Sequence, residues 1–407
     1  MSATLTTGAP VAGREAPRRW IWAAAWPVTA VFVLSNAATP LYVLWQRSIG
    51  FSKGTLTLVF ACYIAGLLAS LLVSGTLSDR LGRKVVLLPA IGLALAACAV
   101  FATAASVPAL IAARLLTGIA VGAVVSAGMA AVTDVAGSRR RPLAALIASC
   151  AMVFGAGLGP LLAGLLAQTA PGPTVTVFLV EAVLLALAVL TVLRMPLPPR
   201  QRGNSAGGRR LRVPGVPAGG RLPLLLGIAV FAPGITATSF VLSLGPSLLA
   251  SLLHSSSRVL AGAMAFVMFA AATGAQFAVR RIRRRTVLLA GAAATAASMA
   301  ALALAVRGGS IPLLVLAAAL AGTGQGLGQL AGLSLLNTAV RPDRLAEANA
   351  ALNVGGYLPA GILPVAAGYL SDAIGLTTGA TLFAAVLAGL AVAGGLLVLA
   401  NRRRLAE

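Results

Sequence analysis

Acidic side chains are the scarcest chemical group in this sequence, with eight Asp and Glu and a single histidine among 407 residues. The acids are scattered, and they form no pair within an apolar run. No cluster of metal-ligating residues and no G-x-x-x-x-G-K-S/T phosphate-binding loop is present. We therefore exclude an enzyme that depends on paired carboxylates, a metal or ATP, and we expect no cofactor and no metal.

Cysteine is also rare. Cys62, Cys98 and Cys150 all lie within apolar runs. Thiols at such positions are away from an oxidising aqueous phase, so the sequence predicts three free, buried cysteines and no disulfide.

Apolar residues dominate the rest of the chain. Hydrophobic side chains make up 59% of the residues, charged ones only 10%, and the mean hydropathy is +0.97. Apolar runs of about 20 residues or more recur along the chain, and each is long enough to cross a bilayer as a helix. The alternation typical of a barrel is absent. The sequence thus predicts an all-α membrane protein with twelve transmembrane helices, at residues 20–46, 54–77, 85–105, 108–133, 143–168, 174–195, 223–252, 258–279, 286–306, 311–337, 346–369 and 377–400.

The basic residues are distributed unevenly between the loops. If the N-terminus is cytoplasmic, all but five of the 31 lysines and arginines fall on the cytoplasmic side. The five others are Arg47, Lys53, Arg258, Arg307 and Arg114. The positive-inside rule then predicts a multi-pass protein of the cell inner (plasma) membrane with both termini cytoplasmic. Despite the net charge of +23 we expect no nucleic-acid partner, because the basic residues follow the positive-inside rule, and contact with the lipid bilayer is the consequence.

One long polar segment, rich in Gly, Pro and Arg, divides the chain near its midpoint. The predicted domains are a cytoplasmic tail at 1–19, a six-helix bundle at 20–195, a cytoplasmic linker at 196–222, a second bundle at 223–400 and a tail at 401–407. A faint internal repeat supports two pseudo-symmetric bundles. "RKVVLLPA" at 83–90 resembles "RRTVLLAG" at 284–291, and "GIAVG" at 118–122 is followed by "GTGQG" at 322–326.

Three segments resemble motifs of the major facilitator superfamily. "GTLSDRLGRK" at 75–84 matches the loop motif G-x-L-x-D-x-x-G-R-K/R at every fixed position. "RLLTGIAVG" at 114–122 resembles the family's arginine-and-glycine motif in helix four. "GAGLGPLLAG" at 155–164 resembles G-x-x-x-G-P-x-x-G-G of drug and metabolite antiporters, but has Ala163 in place of a glycine. The resemblance covers essentially the whole chain and implies the family's fold of six plus six helices.

The first motif is expected to form a conformational latch, made of Gly75, Asp79, Arg80, Gly82, Arg83, Lys84 and Asp134. Glycines there allow tight turns or close packing, and Asp79 can face the positive end of a helix. The resemblance implies that Asp79, Arg83 and Asp134 form a charge network that holds the two halves together when the cavity faces outward. The positive-inside rule alone would explain the arginines but not Asp79.

The antiporter-type motif consists of Gly155, Gly159, Pro160 and Gly164. Proline removes a backbone donor and favours a bend in helix five. The resemblance implies that this bend packs against helix eight, where "AGAMA" at 261–265 offers a flat surface, and that the protein is an exporter. Packing without any bearing on antiport stays open as the alternative.

Two charged residues lie well inside apolar runs, Arg114 in helix four and Glu181 in helix six. A charge at such a depth costs about 2.5–3.5 kcal/mol on insertion scales, which makes both residues candidates for proton coupling. Glu181 could carry the proton, pair with Arg114, or be a protonated, lipid-facing residue. Related exporters usually carry an acid in helix one, where this sequence has Ser35, Asn36 and Thr39.

Polar or aromatic side chains spaced by four on apolar helices are the candidates for a substrate cavity. They are Phe32, Asn36, Gln325, Gln329, Asn349, Asn353 and Tyr357. Hydrogen bonding between helices is an equally good explanation for each of them. No acid joins the set, so the expected small-molecule substrate is neutral or amphipathic.

These features predict a secondary active transporter that works by alternating access. Proton-coupled export of a drug or metabolite is the first interpretation, with protons as the exchanged ion and a monomer as the working unit. A uniporter or symporter for a small neutral metabolite is the alternative, because helix one lacks an acid.

Overall fold

The computed structural model describes residues 17–197, 216, 218–253, 257–279, 281–341 and 344–402. Within these residues, twelve helices are long and apolar enough to cross a membrane. The predicted all-α membrane fold is therefore confirmed. The helices are α1 Arg19–Ile49, α2 Lys53–Leu81, α3 Arg83–Ala102, α4 Val107–Ala136, α5 Arg141–Thr169, α6 Pro173–Arg194, α7 Arg221–Leu253, α8 Arg258–Ala278, α9 Arg284–Gly308, α10 Ile311–Ala339, α11 Leu345–Ile374 and α12 Leu376–Ala400.

Several predicted features lie outside the described residues. They include most of the linker at 196–222, the tail up to residue 16 and the last residues from 403 onward. The predicted domain boundaries at these places stay predictions.

The two halves, α1–α6 and α7–α12, repeat one packing pattern. In the first half α1 packs on α5, α2 on α4, and α3 on α6; in the second, α7 packs on α11, α8 on α10, and α9 on α12. The glycine repeat follows the same pattern. Gly118 faces the backbone of α2 at Tyr63, and Gly322 faces the backbone of α8 at Met268. Glycine lets the paired helices approach this closely, and the predicted pseudo-symmetric bundles are confirmed.

The helices differ in how much of their surface is enclosed. α1 and α7 are the most buried of the twelve, which places them at the centre of the molecule. On α6, by contrast, Leu179, Val183 and Leu187 are exposed. Exposed apolar side chains of this kind form a surface that suits lipid rather than water.

Two helices of the first half, α1 and α4, are interrupted. α1 tightens into a 3₁₀ turn at Thr39–Leu41, where Pro40 has no N–H to donate, and α4 contains a π turn at Val124–Gly128. Such interruptions leave carbonyl groups without their usual helical partners. The carbonyl of Ser35, just before the turn in α1, is bound by a side chain described below.

An even number of spans places both described chain ends on one face, which we call the terminal face; the opposite one is the distal face. The terminal face is the predicted cytoplasmic one. The halves contact each other mainly through α2 with α11 and α5 with α8.

The cysteine prediction is wrong at one position. Cys98 is buried and Cys62 is half-buried, but Cys150 is exposed, because no neighbouring helix covers its side of α5 within the described residues. All three thiols are free, as the sequence predicts.

Candidate functional site

Arg83 is the centre of a charge network at the terminal face. Its Nη1 lies 2.6 Å from Asp79 Oδ1 and its Nε lies 2.9 Å from Asp134 Oδ2. Nη1 also donates to Ser78 Oγ at 2.9 Å. The arginine thus joins the end of α2 to the end of α4. Every one of these partners belongs to the first half, and Asp79 remains 59% exposed.

The other residues of the predicted latch lie near the end of α2 and the start of α3. Gly82 has a φ of +104°, which favours glycine, and Lys84 Nζ donates to the carbonyl of Leu193 at 2.9 Å. Gly75 has room for a side chain, since the nearest atom to an added Cβ would be Ser126 Cβ at 3.9 Å. Arg80 is exposed on the last turn of α2.

At the distal face, by contrast, an acid joins the two halves. Asp372, near the end of α11, accepts the backbone N–H of Lys53 at 3.0 Å and that of Gly54 at 2.8 Å. Ser52 Oγ accepts the next N–H, from Thr55, at 3.1 Å. The first N–H groups of a helix have no partner within it, so the N-terminus of α2 obtains two of its acceptors from the other half. We call this contact the distal clasp.

Close backbone packing surrounds the distal clasp. Gly54 lies against the ring of Tyr369, and Gly368 lies against Thr57. Nearer mid-helix, a Cβ added at Gly361 would lie 3.8 Å from Ile64. The contact between α2 and α11 therefore runs from the distal face toward the middle of the membrane.

A parallel joint links α5 to α8. Arg258, the first residue of α8, donates from Nη1 to the carbonyl of Ala167, and its N–H reaches Gln168 Oε1 at 3.4 Å. Gly164 lies against the Arg258 carbonyl, and Gly262 lies against the Pro160 carbonyl. Both joints thus hold the distal ends of the halves together.

The four residues of the antiporter-type motif serve two different contacts. Gly155 and Gly159 face α1, at the carbonyls of Thr29 and Val33, where an added Cβ would collide. Pro160 and Gly164 face α8, as expected from the resemblance. The motif therefore lets α5 approach both the central helix of its own half and the other half.

Arg114 is the largest fully buried side chain in the described part of the chain, with 0% exposure. Its Nε donates to the Tyr42 hydroxyl, and its Nη1 donates to the Ser35 carbonyl at 2.7 Å. The interruption of α1 lies between these two partners. Among the described residues, its Nη2 has no hydrogen-bond partner.

Three aromatic rings surround the same guanidinium. Its Cζ lies 5.2 Å from the ring centre of Tyr42, 5.1 Å from that of Phe60 and 5.5 Å from that of Tyr63. Cation–π contacts of this length offset part of the cost of burying the charge. We call Arg114 with these three residues the arginine cage.

Glu181 lies apart from Arg114. Its side chain is 1% exposed and near the Cys98 thiol, and among the described residues Oε2 has no partner. One turn earlier on α6, Phe178 stacks on Phe101 at 4.7 Å between ring centres. Glu181 does not form an ion pair with Arg114, one of the three alternatives predicted for it, because Arg114 contacts α1 and α2 instead. A lipid-facing Glu181 is also wrong, since it lies on the buried side of α6.

The predicted cavity residues divide into two groups. Phe32 and Asn36 are buried in α1, and Asn36 Nδ2 donates to Ser35 Oγ at 3.0 Å. The others are half-buried, on α10 and α11: Gln325, Gln329, Asn349, Asn353 and Tyr357. The Tyr357 ring stands edge-on to Phe231, and its hydroxyl is near that of Tyr63. The arginine cage therefore lies close to the predicted cavity face of α11.

Sequence reasoning missed the distal clasp and the rings of the arginine cage. A signal for the clasp is present: "GYLSDAIG" at 368–375 repeats "GTLSDRLG" at 75–82 in its two glycines and its L-S-D core. Gly375 also has a φ of +88°, close to that of Gly82. Nothing in the spacing of the aromatic residues indicates that three of them meet at Arg114.

A comparison with models of known protein families shows which family this chain belongs to. The family model described as "Major Facilitator Superfamily" matches this chain over residues 25–283 and 260–407. The chain belongs to the major facilitator superfamily. Its family and fold are those of a transporter and not of an enzyme.

Solved transporter structures share the fold at low sequence identity. The nucleoside transporter NupG aligns with a TM-score of 0.70 at 14% identity, covering 94% of this chain and 99% of that one. A bacterial homologue of the human lysosomal transporter Spinster, inward-facing and occupied, gives 0.73 at 15% over 94% and 96%. A POT family transporter in complex with a thioalcohol-conjugated peptide gives 0.74 at 13% over 95% and 96%.

One curated relative matches over a short stretch. The 3-(3-hydroxy-phenyl)propionate transporter of Escherichia coli (strain K12) is 37% identical over 100 residues. The match covers 25% of each chain. This chain therefore aligns with only a quarter of its relative's length.

Proposed function

We propose that this superfamily member is a secondary active transporter that exports a small amphipathic compound in exchange for protons by alternating access. The observation that carries the proposal is the location of the contacts between halves. The distal clasp and the joint at Arg258 tie the distal ends together, while the Arg83 network binds only within the first half. Such a molecule is closed at its distal face, while the ion pairs of Arg83 at the terminal face lie within one half.

The antiporter-type motif supports export. Gly164 and Pro160 lie on the interface that must loosen when the distal face opens, so the small residues have a place in the transport cycle. Arg114 and Glu181 are the proposed coupling residues, because each is a buried ionisable group that makes no ion pair within the described residues.

The second candidate is a symporter or uniporter for a small metabolite. It is favoured by α1, where Ser35, Asn36 and Thr39 are buried and the sequence has no acid. The partial match to a transporter of a phenylpropionate is consistent with a metabolite as the cargo.

We further propose a monomer in the plasma membrane with the terminal face in the cytoplasm. Arginines at the loops of that face, among them Arg139, Arg140 and Arg281, suit contact with anionic lipid headgroups. The partners are then the transported compound, protons and lipid.

The direction of proton movement distinguishes the candidates. The purified chain is reconstituted into liposomes that hold a pH-sensitive dye, with equal pH on both sides and the membrane potential clamped. Compounds from a panel of cationic dyes, neutral amides and carboxylates are then added outside. We expect the lumen to become more alkaline, because each compound that enters by antiport releases protons outward.

Protein-free liposomes correct for compounds that cross the lipid unaided. Acidification of the lumen would favour the symporter, and exchange of labelled compound without a pH change would favour the uniporter. If no compound exchanges at all, the transport proposal fails.

Glu181→Gln tests the proton role of the acid in α6. Glutamine has nearly the same shape but cannot ionise, so we expect substrate-driven pH changes to fall at least about tenfold, while exchange of labelled for unlabelled compound stays within about twofold. Both are measured in the same liposomes. A variant that still drives extrusion against a gradient when a pH difference is imposed would exclude Glu181 from coupling. Thr191→Ala, on the exposed side of α6, is the control.

A further inference from the structure

The arginine cage contains a positive charge that the described part of the protein does not neutralise. The acids described there are engaged elsewhere or lie apart from Arg114. Asp79 and Asp134 bind Arg83, Glu347 binds Arg344, Asp372 binds the start of α2, and Glu181 makes no salt bridge within the described residues. A buried cation without a counter-ion is costly, so such a site favours an anion supplied from outside the chain.

The geometry of the guanidinium defines what that anion can be. Nε and Nη1 are engaged by Tyr42 and Ser35, which fixes the plane of the group and leaves the Nη2 donors without a partner among the described residues. Arginine N–H groups favour the planar oxygens of a carboxylate, and these charge-assisted bonds are among the stronger ones in proteins. A neutral amide would leave the charge unmatched.

The rings beside Arg114 favour an apolar group attached to the carboxylate. Phe60 and Tyr63 lie on α2, and Cys62 between them is half-buried. Tyr63 is itself half-buried, and its hydroxyl interacts electrostatically with that of Tyr357 on α11, so the arginine cage lies near the second half. Because Arg114 is fully buried, a ligand reaches Nη2 only when side chains of the arginine cage move.

We propose that Arg114 binds the carboxylate of the transported compound, and that Phe60 and Tyr63 contact its aromatic or aliphatic part. The substrate class is then small amphipathic monocarboxylates rather than neutral compounds. This inference rests on the proposed transport function and narrows its substrate.

Binding is tested on the purified full-length chain in detergent, without transport. Cys150→Ser removes the exposed thiol, and the rate at which a neutral maleimide alkylates Cys62 is measured with phenylacetate, phenylacetamide, hexanoate, hexanamide or chloride. We expect the two carboxylates to slow alkylation and the two amides to leave it unchanged. Equal protection of Cys62 by the carboxylates and by the amides would overturn the proposal. Protection by chloride that the carboxylates do not exceed would overturn it as well.

Arg114→Gln and Arg114→Lys provide the matched variants. The glutamine variant should bind phenylacetate about 10- to 100-fold more weakly, as expected for loss of a hydrogen bond to a charged group, and lysine should retain part of the affinity. Unchanged affinity in a folded Arg114→Gln chain contradicts the assignment. Should that variant fail to fold, Tyr63→Leu removes one ring instead and should weaken phenylacetate more than hexanoate; an equal effect on both would contradict the role of the ring.

The two experiments distinguish a failure of the transport proposal from a failure of the proposed carboxylate site. Protection of Cys62 by carboxylates without exchange in liposomes would support the binding site and contradict transport. Exchange of neutral compounds, without any protection of Cys62 by carboxylates, would support transport and contradict the carboxylate site.

Discussion

Asp372→Asn is expected to open the distal face. The substitution removes the negative charge that accepts the N–H groups of Lys53 and Gly54, and with it the attraction to the positive end of α2. Because the carboxylate accepts the first N–H groups of α2 as a capping side chain does, we assign the clasp about 1–2 kcal/mol, which corresponds to roughly a 5- to 30-fold change in the ratio of distal-open to distal-closed molecules. A shift of this size would leave few molecules in the closed form if the two forms are nearly balanced.

Distances between spin labels measure that shift. Ser48→Cys in the first half and Thr377→Cys in the second are exposed positions near the distal face, and the three native cysteines are replaced. We expect a longer distance to gain population in Asp372→Asn and exchange in liposomes to slow. Asp372→Glu keeps the charge and should stay near the parent distribution. An unchanged distribution in Asp372→Asn would show that the clasp contributes nothing to closure.

The fold was predictable because bilayer thickness sets the length of each helix. The predicted run at 54–77 and the observed helix Lys53–Leu81 differ only at their ends. There, the helix continues past the apolar run to Gly82, where the positive φ ends it. Hydropathy identifies the part of a helix that lies in lipid, but it does not identify a last turn made of polar residues.

The site was predictable only in part, because its partners come from distant parts of the chain. The Arg83 network joins residues already grouped by the motif, and the structure brings them together. Arg114 and Glu181 were each identified by their burial in apolar runs, but depth alone does not indicate which face of a helix a side chain lies on. Arg114 donates to the backbone carbonyl of Ser35 on α1, an acceptor that no pattern in the sequence predicts.

Arg83→Met is expected to have the opposite effect to Asp372→Asn. Arg83 joins Asp79 to Asp134, and we propose that this network holds the terminal face together when the distal face is open. Methionine keeps much of the apolar volume but loses both ion pairs. The distal-open form then loses stability relative to the distal-closed one, and the longer spin-label distance should lose population.

A positioned guanidinium, and not charge alone, is required for this role. Arg83→Lys keeps the charge but has no planar fork with which to reach two carboxylates, so we expect an intermediate effect. Both ion pairs are partly exposed, so the thermal stability should change by no more than the equivalent of about 1 kcal/mol. A large loss of thermal stability with an unchanged distance distribution would contradict the latch role, because the network would then only support the first half.

The double variant Arg83→Met with Asp372→Asn tests whether the two contacts oppose each other. They lie on opposite faces and share no partner among the described residues, so their effects on the ratio of the two forms should add. One variant raises the population of the distal-open form and the other lowers it, so the double variant should return toward the parent distribution and exchange faster than either single variant. If it instead resembles Asp372→Asn alone, the Arg83 network has no part in the equilibrium, and closure depends on the distal face only.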